Sequence, residues 1–127
     1  MKTLRQTYKI HAPLNKVWDA LINPATIEKW GGGAAKMDGV EGSQFSLWNG
    51  DIHGTNTHVV PPSRLEQDWF SEGWDTPSKV VFELSEKGGV TTVVLMHENI
   101  PDKELDNIDD GWKSFYLGPI KKLLESE

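Results

Sequence analysis

Cysteine is absent from the 127-residue chain. That excludes disulfides, thiol nucleophiles, thiolate zinc sites and iron–sulfur ligation. Long apolar runs are missing too, and none approaches the roughly eighteen residues of a membrane span. The opening Met1–Tyr8 has no apolar core of the signal-peptide kind, so a cytoplasmic location without membrane insertion is expected. Basic residues are in deficit: 13 Lys and Arg stand against 19 Asp and Glu, a formal charge of −6. This balance opposes the phosphate neutralisation that nucleic-acid and anionic-membrane binding require, and neither partner is expected. Low-complexity tracts are lacking as well, and 37% hydrophobic with 25% charged residues is an ordinary globular composition. One domain over 1–127 is expected, with a core and room for one cavity.

What is present begins with Ile10 to Trp30. A strand over 3–11 ends at Pro13, and the period then changes. Leu14, Val17, Trp18, Leu21 and Ile22 fall at three- and four-residue spacing, which predicts a helix with one apolar face. Asn23-Pro24 is a cap followed by a proline suited to the first helical position, so a second short helix is predicted to about Lys29.

Gly31-Gly32-Gly33 reads as a flexible break. Strands are predicted at 42–49 and 52–60 around the turn Asn49-Gly50-Asp51, and Pro61-Pro62 ends the second. Leu65–Phe70 alternates as a strand, 71–77 is turn-like, and 79–85 with 90–97 forms a hairpin about Glu86–Gly89. After Pro101, Leu105, Ile108, Trp112, Phe115, Tyr116, Ile120, Leu123 and Leu124 make one broad helical stripe. Acidic residues gather at its start and Lys121 and Lys122 near its end, as the helix dipole favours. A kink is expected at Gly118-Pro119, because Pro119 cannot donate to the Phe115 carbonyl. The class is α+β: a curved antiparallel sheet covered by the long C-terminal helix, with two short helices after the first strand.

This order resembles the Bet v 1/START-like helix-grip (SRPBCC) superfamily, and within it the family named for the C-terminal domain of the activator of Hsp90 ATPase. The carrying residues are Ala12-Pro13 to Val17-Trp18 and Leu21, Pro24 and Trp30, then Gly42, Phe45, Leu47 and Gly54 before Pro61-Pro62. Ser63-Arg64-Leu65 with Trp69, Thr91-Thr92 to His97, and Gly111-Trp112 with 120–125 complete the set. The resemblance implies a sheet gripping the C-terminal helix around a mostly apolar cavity. Relatives in the superfamily bind lipids, sterols, aromatic polyketides or plant hormones, and some are enzymes.

Six tryptophans are many for this length. They either line a cavity or fill the gap between sheet and helix, and Trp74 is expected in a loop at a pocket mouth. Of the four histidines, His53 and His58 are five apart on one strand, which sends them to opposite faces unless a bulge intervenes, so no metal site is expected. His97 shares parity with Thr91, Val93 and Leu95 on the face toward the helix, either as a hydrogen-bonded structural group or as a general base. Glu66 and Asp68 share a solvated outer face. The triple glycine lacks the following Lys-Ser or Lys-Thr of a phosphate loop.

The ligand-binding candidates are therefore Trp69, Val93, Leu95, His97, Trp112, Phe115 and Tyr116, with Asn56, His97 and Tyr116 as orienting polar groups. The leading expectation is an apolar, aromatic or lipid-like small molecule held without any cofactor. The alternatives are a cyclase-like enzyme using His97 or Tyr116, and a partner of an Hsp90-type chaperone.

Overall fold

A computed structural model describes residues 1–71 and 73–126. Strand β1 (Lys2–Ile10) leads into helices α1 (Leu14–Ile22) and α2 (Pro24–Trp30). Strands β2 (Gln44–Leu47), β3 (Ile52–Val60), β4 (Arg64–Ser71), β5 (Ser78–Lys87) and β6 (Val90–Ile100) follow, and a helical segment closes the chain. The strands form one antiparallel sheet in the order β1-β6-β5-β4-β3-β2. This is the α+β helix-grip arrangement.

Strand alternation sets the inner face. Gln6 lies opposite Leu95, Leu95 opposite Phe82, and Phe82 opposite Leu65, while a parallel row runs Leu4, His97, Val80, Gln67, Asn56. All nine are buried. The odd-numbered partners on β4, such as Leu65 and Trp69, point in, and Glu66 and Asp68 point out. Glu66 is paired with Arg64 at 2.8 Å and Lys79 at 3.4 Å and is largely covered by them, so this outer carboxylate is held by cations more than by solvent.

The α1–α2 joint closes one end. Val17, Ala20, Leu21 and Ile27 are fully buried, and burying each of the larger ones stabilises by about 1.5–3 kcal/mol. Asn23 caps α2 by accepting from the Ala25 N–H at 3.0 Å, with Pro24 in the first turn. Two long-range bonds seat the joint on the sheet: Thr91 Oγ1 donates to the Ala12 carbonyl at 2.8 Å, and the Leu14 N–H donates to Glu86 at 2.6 Å.

The expected kink at Gly118-Pro119 takes a different form, one turn earlier. The C-terminal helix consists of α3 (Leu105–Gly111), a π-helical turn over Trp112–Tyr116, and α4 (Leu117–Glu125). Within it the Leu117 N–H reaches back five residues to the Trp112 carbonyl. Tyr116 leaves helical geometry at φ −122°, ψ −86°. Pro119 has no N–H for the regular ladder, and a Cβ on Gly118 would lie 1.8 Å from the Lys113 carbonyl oxygen. The wider turn keeps Trp112 and Tyr116 inward but swings Phe115 off the stripe, leaving it 63% exposed.

Two further expectations change. The strand predicted at 42–49 shortens to β2, because Trp48 (φ 49°) and Asn49 (φ 56°) turn left-handed before Gly50. On β3 the pairing slips between Asn56 and His58, so Thr57 is the extra residue of a bulge. His53 and His58 therefore share the outer face, opposite Phe70 and Glu66, rather than lying on opposite faces.

Candidate functional site

The inner surface between sheet and helix is packed. The Trp112 ring lies 4.9 Å from Trp69 and 5.6 Å from Phe82, and Tyr116 lies 4.6 Å from both Trp30 and Trp112. Val93, Leu95 and His97 lie beneath these rings with no exposure, so they do not border open space. A large cavity over these three residues, as the resemblance implied, is filled by aromatic side chains.

His97 is held on both nitrogens. Trp112 donates its indole N–H to Nδ1 at 3.0 Å, and Nε2 faces Ser78 Oγ at 2.7 Å. An acceptor at Nδ1 fixes the neutral tautomer with the proton on Nε2, which donates to Ser78. Burial pushes the pKa of His97 down to about 3. A neutral imidazole with both nitrogens engaged by protein is a structural group, and it offers no free base.

Open space remains at one end of the helix, as a cleft of about 270 Å³. This is near the lower end of the ~300–1,000 Å³ range of small-molecule sites. Trp69, Trp112 and Tyr116 form its inner wall, and Ile108, Gly111 and Phe115 supply the helix side. Trp48 and Ile52 close it from the β2–β3 connection, and Asn107 stands at the rim. Of the sequence candidates, Trp69, Trp112, Phe115 and Tyr116 thus meet at one cleft. Trp48, Ile52, Asn107, Ile108 and Gly111 join them.

The triple glycine is not a flexible break but the seat of Trp48: the Trp48 N–H donates to the Gly32 carbonyl at 2.7 Å and its indole N–H to the Gly31 carbonyl at 2.8 Å. At Gly33 (φ +70°) a Cβ would fall 2.7 Å from Trp48 Cα, so only glycine allows this approach.

Polar groups near the cleft are almost all satisfied. Trp69 donates to Gln67 Oε1 at 2.7 Å, Gln67 donates to Asn56 Oδ1 at 2.9 Å, and Asn56 donates to Ser43 Oγ at 3.1 Å. Asn56 thus orients Gln67 and Trp69 and does not reach the cleft. Tyr116 is the exception. Its hydroxyl is buried with no hydrogen-bond partner among the described residues, and burial raises its pKa, so it stays protonated.

Other candidates separate from this site. Trp74 lines a hollow with Pro101, Lys103 and Glu104 instead of the cleft; its neighbour Glu72 lies outside the described residues. A wider hollow of about 520 Å³ beside α1 is lined by Asp19, Thr26 and other polar side chains. There Asp19 is already bonded to Asn23 at 3.0 Å and Thr26 at 2.6 Å. His53 stacks on Phe70 and His58 pairs with Glu41 at 2.9 Å. No group of three or more metal-ligating side chains occurs among the described residues. No helix among them is long and apolar enough to cross a membrane.

Comparison with known proteins agrees with the fold. An activator of 90 kDa heat shock protein ATPase homolog from Dictyostelium discoideum is 28% identical over 94% of this chain and 32% of its own length. The chain thus spans about a third of the curated relatives it matches. A crystal structure of an HSP90 activator from Plasmodium falciparum superposes with a TM-score of 0.89 at 26% identity, covering 98% of this chain and 97% of that one. CalU16 from Micromonospora echinospora is 32% identical with a TM-score of 0.79, over 95% of this chain and 71% of that chain. With residues 11–125 matching the model for activator of Hsp90 ATPase homolog 1-like proteins, this chain belongs to that family.

Proposed function

We propose that this chain binds an uncharged, flat aromatic or lipid-like small molecule in the cleft between Trp48, Trp69 and the π-helical turn. One observation carries the reading: the open space is walled by aromatic rings and contains no charged side chain. Such a lining rewards desolvation of an apolar ring system and gives an ion nothing to pair with. Mass spectrometry of small molecules released from gently purified protein, with tryptophan fluorescence during titration with fluorene, tests it. Saturable quenching is expected. A flat response together with ligand-free protein would overturn the reading.

A second reading, partnership with an Hsp90-type chaperone, is favoured by the near end-to-end match to the HSP90 activator of similar length. Purified chain added to an Hsp90 ATPase assay tests this, and absence of both stimulation and binding at high concentration would dismiss it. Acid–base catalysis is the weaker reading, because His97 has no free nitrogen. The cleft and a chaperone surface are compatible on one domain, and the two experiments read them separately.

A further inference from the structure

The accessible aromatic surface of the cleft belongs to two rings that stand on different elements. Trp69, Trp112 and Tyr116 are only 5%, 2% and 2% exposed, and they pack on one another at interplanar angles of 30°, 29° and 41°. Their faces are spent on the core. Trp48 differs: it is partly exposed, and its two ring neighbours, Trp30 and Tyr116, meet it edge to face at 77° and 73°. No aromatic ring lies flat on its indole. Phe115, on the helix side of the same cleft, is exposed and makes no ring contact among the described residues.

The backbone holds each of these two rings in an unusual position. Trp48 sits at φ 49°, a left-handed conformation that is costly for a bulky side chain. Its backbone N–H and its indole N–H both donate to the triple glycine, which keeps the ring there. Phe115 is carried by the π-helical turn, which takes it off the buried stripe and onto the cleft. Strained residues and irregular helical turns are both concentrated at functional sites.

Resting on the ligand-binding reading above, we propose that Trp48 and Phe115 are the specificity-determining jaws of the cleft, contacting the two faces of a flat ring system and favouring electron-poor aromatic frames. The faces of indole and phenyl rings are electron-rich, so a ring stacked between them gains most when its own face is electron-poor. Neighbouring charge acts in the same direction. Helix α3, which supplies part of the helix side, carries Asp106, Asp109 and Asp110 and no basic residue, so an anionic or electron-rich frame is disfavoured beside it.

Naphthalene and octafluoronaphthalene share one outline and have opposite ring quadrupoles. Binding to the full chain is measured by tryptophan fluorescence and calorimetry for the native protein, Trp48→Leu and Phe115→Leu, each affinity being referred to the probe's own partition between water and cyclohexane. On that scale the native protein is expected to bind the fluorinated probe about three- to tenfold more tightly. Each variant is expected to bind both probes more weakly and to lose most of the preference. Phe115→Leu changes an exposed side chain and keeps the fold, so it carries the test even if Trp48→Leu destabilises the chain. The proton resonances of bound naphthalene give a second readout. They should move upfield, as for a molecule lying against aromatic faces, and less so in Phe115→Leu.

Equal partition-corrected affinities in the native protein, or a preference unchanged in Phe115→Leu, would overturn the inference while leaving the ligand-binding reading standing. Failure of both probes to bind would overturn the ligand-binding reading itself.

Discussion

The indole N–H of Trp112 meets Nδ1 of His97 at 3.0 Å, and this bond joins the π-helical turn to the last strand of the sheet. It does two things at once: it fixes the imidazole tautomer and it aims the Trp112 ring along the wall of the cleft. Trp112→Phe keeps most of the apolar area but leaves Nδ1 buried and unpaired. The variant is expected to lose about 1–3 kcal/mol in urea unfolding. His97→Leu combined with Trp112→Phe should lose less than the sum of the singles, because the two residues share the bond.

Acid should reveal the same histidine. Burial lowers its folded-state pKa to about 3, whereas an unfolded histidine titrates near ~6.5. Between those values the unfolded chain binds the extra proton, so stability is fully present above about pH 6.5 and declines as pH falls toward 3. The slope for one proton is at most about 1.4 kcal/mol per pH unit. Urea unfolding between pH 7 and pH 5, above the range where carboxylates titrate, should show this decline, and His97→Leu should flatten it.

Gly118→Ala tests the helix irregularity. The added Cβ would meet the Lys113 carbonyl at 1.8 Å, so the π-helical turn must rearrange. A loss above about 2 kcal/mol is expected, with a change in the near-ultraviolet signal of Trp112. Gly33→Ala, at φ +70° against Trp48, should cost about 1–3 kcal/mol by unseating that ring.

Phe115 separates binding from folding. It is 63% exposed yet lines the cleft, so Phe115→Glu should change stability by less than about 0.5 kcal/mol. Affinity for flat apolar probes should fall by roughly an order of magnitude, because a charge then stands at the mouth. Calorimetric titration paired with a melting curve checks both halves.

The parts of this architecture legible in sequence are those that depend on periodicity. The change of period at Pro13, the alternation on β4 to β6 and the stripe from Leu105 to Leu124 each mark a buried face. What periodicity cannot carry is a single inserted residue whose position depends on a distant partner. Thr57 bulges because β3 must meet β4, which turns His58 to the face of His53. The π-helical turn likewise removes Phe115 from a stripe it fits by spacing. Trp48 escaped for another reason: a glycine run reads as freedom until the ring that needs its bare backbone is in place. The filled interior over Val93, Leu95 and His97 was equally out of reach, since spacing says which face a residue takes and not whether the space before it is occupied.

The most direct test maps the indole N–H resonances of the tryptophans by NMR while fluorene or 9-fluorenone is added. Trp48, Trp69 and Trp112 line the cleft and should shift together with one dissociation constant, while Trp18 and Trp74 stay fixed. Shifts confined to Trp18 or Trp74, or none at all at saturating probe, would contradict ligand binding in this cleft.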